Sequence, residues 1–376
     1  MYSVYQHWDP LKVCVVGRSY PPEFYSWITV PHVRNLFERI AIETEEDFQN
    51  IIKKLQQFGV TVLRPDLPTT TFIDGQHVPP PMTPRDYTGM FGTKFYENYS
   101  TNFNCEDYAN IKDASWPDCN SWDEFDQLPN NIKLELQNVF NFGNKQVHRA
   151  EYDRILDHIR LQNNTVVSGK LWISNTAQCM RIGRDLYWGT TSYDQDLSKI
   201  KKQIDAEFSN YQNHIVNTGG HSDGTYCPVC PGLIISLYDV PTYADTFPDW
   251  EVVYLPNQSW DQVRPFLDLK DKNRGRWWIP GFEYDHDVIN VVETWLGHWT
   301  GFIEETVFDV NMLIIDPKNV MVFSYNKQVF DALDRYGITA HVVPFRHRCF
   351  WDGGIHCVTS DLHREGTMQN YFLQRG

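Results

Sequence analysis

The sequence contains no run near the ~20 apolar residues that a helical membrane span needs, so no such span is expected. Basic residues are scarce too: Lys and Arg number 33 against 48 Asp and Glu, a formal net charge of −15 with no basic stripe. That balance argues against nucleic acid or an anionic membrane as partner and would attract a small cationic substrate. Gly-x-Gly-x-x-Gly, phosphate-loop and His-Glu-x-x-His patterns are missing, so neither a nucleotide cofactor nor a catalytic metal is expected. No Pro-rich or Ser-rich linker divides the 376 residues, which points to one domain over 1–376. Residues Met1 to Trp8 lack both a basic and an apolar targeting segment, and a cytoplasmic location is the expectation.

Eight cysteines are scattered through the chain and read as reduced thiols. Cys227-Pro228-Val229-Cys230 has the spacing of half a zinc knuckle or of a redox pair, but a second Cys-x-x-Cys is lacking, and a buried turn between two strands accounts for it without metal. Aromatic residues make up 15% of the sequence, including 13 Trp. Tyr87 to Tyr99 and Trp277-Trp278 do not read as regular structure; they fit either an aromatic rim around a site or surface loops that need apolar anchors.

A strand, helix, strand pattern recurs. One copy runs from Leu11–Gly17 through a helix near Glu43–Phe58 to Val60–Arg64. Another runs from Asp185–Trp188 through a helix near Asp194–Phe208 to His214–Asn217. A third links Gly232–Leu237 to Glu251–Leu255 with little helix between, and a fourth runs from Asn319–Phe323 through Lys327–Tyr336 to Ile338–Val343. Apolar residues three and four apart, as in Phe48, Ile51, Ile52 and Leu55, mark the helices, and Val, Ile and Leu mark the strands. Such α/β modules stack or ring around an axis. Residues 107–144 and 258–284 read as long excursions between modules, of the kind that forms lids or site walls.

Two segments follow the last strand of a module: Gly219-Gly220-His221-Ser222-Asp223 and Asp352-Gly353-Gly354-Ile355-His356-Cys357. Glycine pairs turn tightly and leave room beside the next side chain. If the modules share an axis these two segments converge, which would bring a cysteine nucleophile to a distant histidine. A thiolate there needs a nearby cation, and Arg346, His347 and Arg348 lead toward Cys357, which alternation places at the start of a strand. The bland alternatives are a small buried thiol for Cys357, a solvated turn for His221 and Asp223, and an exposed aspartate paired with Arg85 for Asp86 in Pro84-Arg85-Asp86.

Pro84-Arg85-Asp86, Gly183-Arg184-Asp185, His221 to Tyr226, Pro231 to Ser236, Asn311-Met312-Leu313 and Gly353 to Thr359 resemble, in order and spacing from about residue 80 onward, the amidinotransferases of the guanidino-group-modifying superfamily. The resemblance implies a pseudo-fivefold α/β propeller, no cofactor, and a homodimer. It implies that Cys357 attacks the guanidinium carbon of arginine, that His221 moves protons, and that Asp86 and Asp223 hold the cation, with Arg346 upstream of the cysteine. The amidino group then passes to an amine, glycine by default, giving guanidinoacetate and ornithine.

Three departures stand out. Asn175 replaces the acid that orients the histidine; an asparagine carbonyl still accepts its N–H but cannot offset a charged imidazolium. Val240 stands near the family's carboxylate-binding arginine, and Glu305 near a pocket serine. The rival expectations are a guanidine hydrolase using the same Cys and His, and a catalytically impaired guanidinium-binding protein.

Overall fold

The computed structural model describes residues 1–73, 75–97, 115–118, 127–129, 132, 143–168, 176–190, 197–218, 221–237, 242–255, 277–297, 299, 310–351 and 353–375. The described residues form an α/β structure with five three-stranded sheets. In the first, β1 (Leu11–Val16) runs parallel to β2 (Thr61–Leu63) across helix α1 (Pro31–Gln57). A small hairpin, β3 (Phe72–Ile73) and β4 (Gln76–His77), and the single turn α2 (Pro84–Tyr87) follow. The second sheet pairs β5 (Thr88–Phe91) with β6 (Lys94–Glu97) antiparallel and, past α3 (Gly143–Leu161), adds β7 (Thr165–Ser168) in parallel.

The third repeats this with β8 (Cys179–Ile182), β9 (Asp185–Thr190), α4 (Leu197–Glu207) and β10 (Gln212–Asn217). The fourth uses β11 (Tyr226–Cys230), β12 (Leu233–Ser236), the short α5 (Tyr243–Thr246) and β13 (Glu251–Tyr254). Helix α6 (His286–Trp295) precedes the fifth, built from β14 (Leu313–Asp316), β15 (Asn319–Val322), α7 (Lys327–Arg335) and β16 (Thr339–Val342). After the single turn α8 (Arg348–Trp351), β17 (Thr359–Arg364) returns to pair antiparallel with β1, so the end of the chain completes the sheet that its beginning opened.

The four modules read from sequence are present with edges shifted by a few residues, except that α1 begins at Pro31 rather than near Glu43. Pro31 supplies the fixed φ of a first helical turn, and Val33, Leu36, Phe37, Ile40 and Ala41 continue the buried stripe of Phe48, Ile51 and Leu55. The second sheet corrects the reading of Tyr87 to Tyr99 as irregular. All four residues of β5 are buried, and so are Phe95 to Glu97, so the segment lacks the in-out alternation that marks a strand in sequence. Cys227 and Cys230 lie inside β11 rather than in a turn. Burial pushes their thiols up, to about 12 for Cys227 and about 11 for Cys230, so neither is a ready thiolate.

Trp277 and Trp278 are anchors: both are buried, and their ring N–H groups donate to Glu293 and Glu283. Most of 107–144 and 258–276 lies outside the described residues. The six described cysteines form no disulfide with one another. Among the described residues no helix is long and apolar enough to cross a membrane.

Candidate active site

Each sheet begins with a strand whose lead-in carries polar residues: Cys357 before β17, Arg85 and Asp86 before β5, Thr176 to Gln178 before β8, His221 to Asp223 before β11, and Asn311 before β14. These lead-ins are tied to one another in a closed circuit. The His356 N–H donates to Asn311 Oδ1 (2.7 Å), and Asn311 Nδ2 donates to the Asp223 carbonyl (3.2 Å). Ser222 Oγ donates to the Gln178 carbonyl (2.8 Å), and Thr176 Oγ1 reaches the carbonyls of Arg85 and Thr88. The Arg85 N–H closes the circuit on the Cys357 carbonyl (3.3 Å). Every sheet therefore contributes one segment, and side chains far apart in sequence meet.

Cys357 is 3% exposed and sits in a tight turn rather than at the start of a strand; β17 begins two residues later, and the Val358 and Thr359 N–H groups bond back to Gly354 and His356. The glycine pair acts as its sequence suggests. A Cβ on Gly354 would fall 2.2 Å from the Asn311 amide and one on Gly353 2.8 Å from Val358, so neither position has room for a side chain. The sulfur accepts from Asn311 Nδ2 (3.1 Å) and lies 3.6 Å from Asp223 Oδ2, on which the thiol donates.

Asp223 is 2% exposed and belongs to a single 3-10 turn, Ser222–Gly224, so the pairing of His221 and Asp223 is not a solvated turn. Burial opposes its ionisation, but the bond from His356 Nδ1 (2.8 Å) and the neighbouring His356, His221 and Arg85 outweigh it and hold the carboxyl below its ordinary range. Burial and then Arg85 push His356 down, so it is a neutral imidazole whose Nδ1 carries the proton donated to Asp223. Asp223 Oδ1 is buried and has no hydrogen-bond partner among the described residues. A buried ionised carboxylate with one open oxygen beside a thiol suits a planar cation that brings its own N–H donors.

His221 stands half-buried in extended backbone two residues from Asp223, where a proton on its ring favours that carboxylate's ionised form. Asp86 is half-buried on α2, next to the residue whose N–H bonds to Cys357. Arg85 is not its surface partner: it is fully buried, its Nη2 donates to the Cys179 carbonyl (3.2 Å), and burial lowers its pKa to about 10.

Behind the site Arg181 and Arg364 grip Asp361, at 2.7 and 2.8 Å from Arg181 and 2.6 Å from Arg364. Arg346 faces another element. Its N–H and Nε donate to Asp47, and Nη2 to Glu46 and the Glu43 carbonyl, all on α1, which holds its pKa above the ordinary arginine value. His347 bonds to Glu43 on the same helix. Arg346 and His347 thus dock on α1, while Arg348 reaches Ser324 Oγ (3.5 Å). Asn175, Val240 and Glu305 lie outside the described residues.

Sequence reasoning missed His356 as a partner of Asp223 and gave no site role to Asn311. Both were findable as polar residues at the lead-in positions, had those positions been compared across all five sheets.

No known family model matches the chain. It is 25% identical over 208 residues to the mitochondrial glycine amidinotransferase of Xenopus tropicalis, an alignment that takes in 53% of this chain and 40% of that protein. The chain therefore spans about two-fifths of the length of the glycine amidinotransferases it matches. Inosamine-phosphate amidinotransferase 1 of Streptomyces glaucescens is 22% identical over 98% of both chains. Among solved structures, an amidinotransferase of the saxitoxin biosynthetic pathway from Microseira wollei superposes with a TM-score of 0.62 at 16% identity, and the inosamine-phosphate amidinotransferase of Streptomyces griseus with 0.60 at 18%, each over 99% of both chains; these show a shared fold. Along nearly its whole length the chain is thus similar, at 22% identity, to an amidinotransferase, and it shares its fold with two others.

Proposed function

We propose that the protein transfers an amidino group from a guanidine, with arginine as donor, through Cys357 to an amine, with glycine the first acceptor to test. The single observation that carries this reading is Asp223: buried, ionised, with one oxygen open and the other 3.6 Å from the Cys357 sulfur. In this proposal the five sheets are blades of one domain over 1–376 around an axis on which their lead-ins meet.

In the free protein the carboxylate disfavours a thiolate beside it, and the S–H is donated to Oδ2. A guanidinium bonded to Asp223 offsets that negative charge and presents its central carbon to sulfur. The thiol proton passes to His221 as the C–S bond forms. The bond from carbon to the departing nitrogen then breaks with its electron pair on nitrogen, and His221 returns the proton, releasing ornithine. The acceptor amine gives a proton to His221 and attacks the same carbon; the C–S bond breaks with its electron pair on sulfur, which takes that proton from His221 and becomes the thiol again. Asp86 is the second carboxylate for the cation, Asn175 the acceptor that orients His221, and Glu305 an added acid in the pocket. Burial of the sulfur keeps water from the intermediate, the condition under which transfer outruns hydrolysis.

Incubation with arginine and a panel of amines, followed by product analysis, tests this. Ornithine with a new guanidino compound is the expected result. Citrulline would make the protein a hydrolase, and no turnover of any guanidine would make it a binding protein.

A further inference from the structure

We propose that Asn311 is a catalytic residue, the donor that holds the Cys357 sulfur as the nucleophile; the proposal deepens the amidinotransfer reading and rests on it. Three bonds fix its carboxamide. Oδ1 accepts from the His356 N–H at 2.7 Å, while Nδ2 donates to the Asp223 carbonyl at 3.2 Å and to Cys357 Sγ at 3.1 Å. Because an N–H occupies Oδ1, the oxygen and nitrogen of the amide are assigned by its partners, and only Nδ2 can face the sulfur. The side chain is 5% exposed and fills the volume that a Cβ on Gly354 would occupy, so the glycine is there to admit this amide.

The electrostatics around the thiol give the contact a task. Asp223 faces the sulfur with a carboxylate, and His356, on the cysteine's own turn, is neutral and committed to that carboxylate. His221 acts from the lead-in of β11, and the buried Arg85 guanidinium from α2 is turned to the Cys179 carbonyl and toward Asp361. Against the carboxylate's charge, the Asn311 amide N–H donates to the sulfur. A donor of fixed position gains strength as the thiol becomes a thiolate, because a charged acceptor about doubles a hydrogen bond. It would also fix the sulfur's rotamer toward the open oxygen of Asp223, and it would receive the sulfur again when the amidino group leaves.

Asn311→Asp tests the role in the full-length protein, since it keeps the acceptor for the His356 N–H and replaces the sulfur's donor by a negative charge. Because that charge would also face the Asp223 carbonyl, Asn311→Ala serves as the second variant should the first fail to fold by circular dichroism. The readouts are the pH dependence of iodoacetamide alkylation at Cys357 and of thiolate ultraviolet absorbance, with Cys357→Ser as the blank. Neither depends on turnover.

The expected result is a titration moved up by about one pH unit, so that alkylation below the midpoint slows about tenfold, with kcat falling more than KM rises. Profiles that superpose on the wild type in a folded variant would overturn the proposal and leave Asn311 a strut. If the wild type forms no amidino adduct yet Asn311→Asp shifts the titration, the amidinotransfer reading fails and the sulfur-donor role stands. An adduct in the wild type with an unshifted variant gives the reverse.

Discussion

Two buried aspartates separate the scaffold of this molecule from its chemistry. Asp361, 3% exposed, has both oxygens occupied by Arg181 and Arg364, with Arg85 at 3.9 Å, and these cations hold its carboxyl well below the ordinary range despite burial. Asp223, 2% exposed, bonds through one oxygen to the neutral imidazole of His356 and the Cys357 thiol, and its other oxygen has no hydrogen-bond partner among the described residues. Both are ionised, but only one is satisfied. A saturated carboxylate is a fastener, whereas an ionised one left partly unpaired, at the cost of burying that charge, is a receptor for a cation.

The comparison breaks most visibly at the fastener. Asp361→Asn leaves buried arginines without their counter-charge and should cost about 3–5 kcal/mol in urea unfolding; a loss below about 1 kcal/mol would mean the cluster is not a fastener. At the receptor, Asp223→Asn should leave stability nearly intact and lower kcat/KM for amidino transfer about 100- to 1000-fold. The same variant should speed iodoacetamide labelling of Cys357 in the free protein, because the repelling charge is gone; slower labelling would show that Asp223 supports the thiolate instead.

Acid titration sharpens the contrast. Both carboxyls have lowered pKa values, so their contributions are present above the unfolded value near 3.8 and fade only as pH falls through still lower folded values. His7 and His356 are also lowered, first by burial, so the unfolded chain takes up their protons near pH 6.5 while the folded protein does not. Stability should therefore drop as pH falls below about 6.5, by up to about 1.4 kcal/mol per pH unit for each histidine, and a melting temperature that stays flat on crossing that pH would contradict the assignment. The smallest effect is expected at Arg346. Its half-exposed pairing with α1 predicts about 1 kcal/mol or less for Arg346→Gln and kcat/KM within about twofold of wild type, whereas a large rise in KM would restore it to the substrate site.

The meeting of Cys357 with the His221–Asp223 segment was legible because glycine pairs and repeated strand exits are written in the sequence. The convergence depends on topology alone, and the Cys357 sulfur indeed lies against Asp223, 134 positions away. The second sheet was hidden by its own burial, since β5 shows no alternation and its partner β7 follows a separation of some 70 residues. His356 and Asn311 escaped for another reason: a histidine beside a cysteine and an asparagine before a strand are common, and only the closed circuit of hydrogen bonds distinguishes these two. The pull of Arg346 toward α1 depends on Glu43, Glu46 and Asp47, some 300 residues earlier, which no local pattern reveals.

The central claim is that thiol and open carboxylate form one guanidine pocket, and mass spectrometry of the protein after exposure to arginine tests it most directly. The account predicts one amidino group on the peptide carrying Cys357, ornithine released in equal amount, and neither in Cys357→Ala. Unmodified protein and no ornithine, under conditions in which Cys357 still reacts with iodoacetamide, would contradict it.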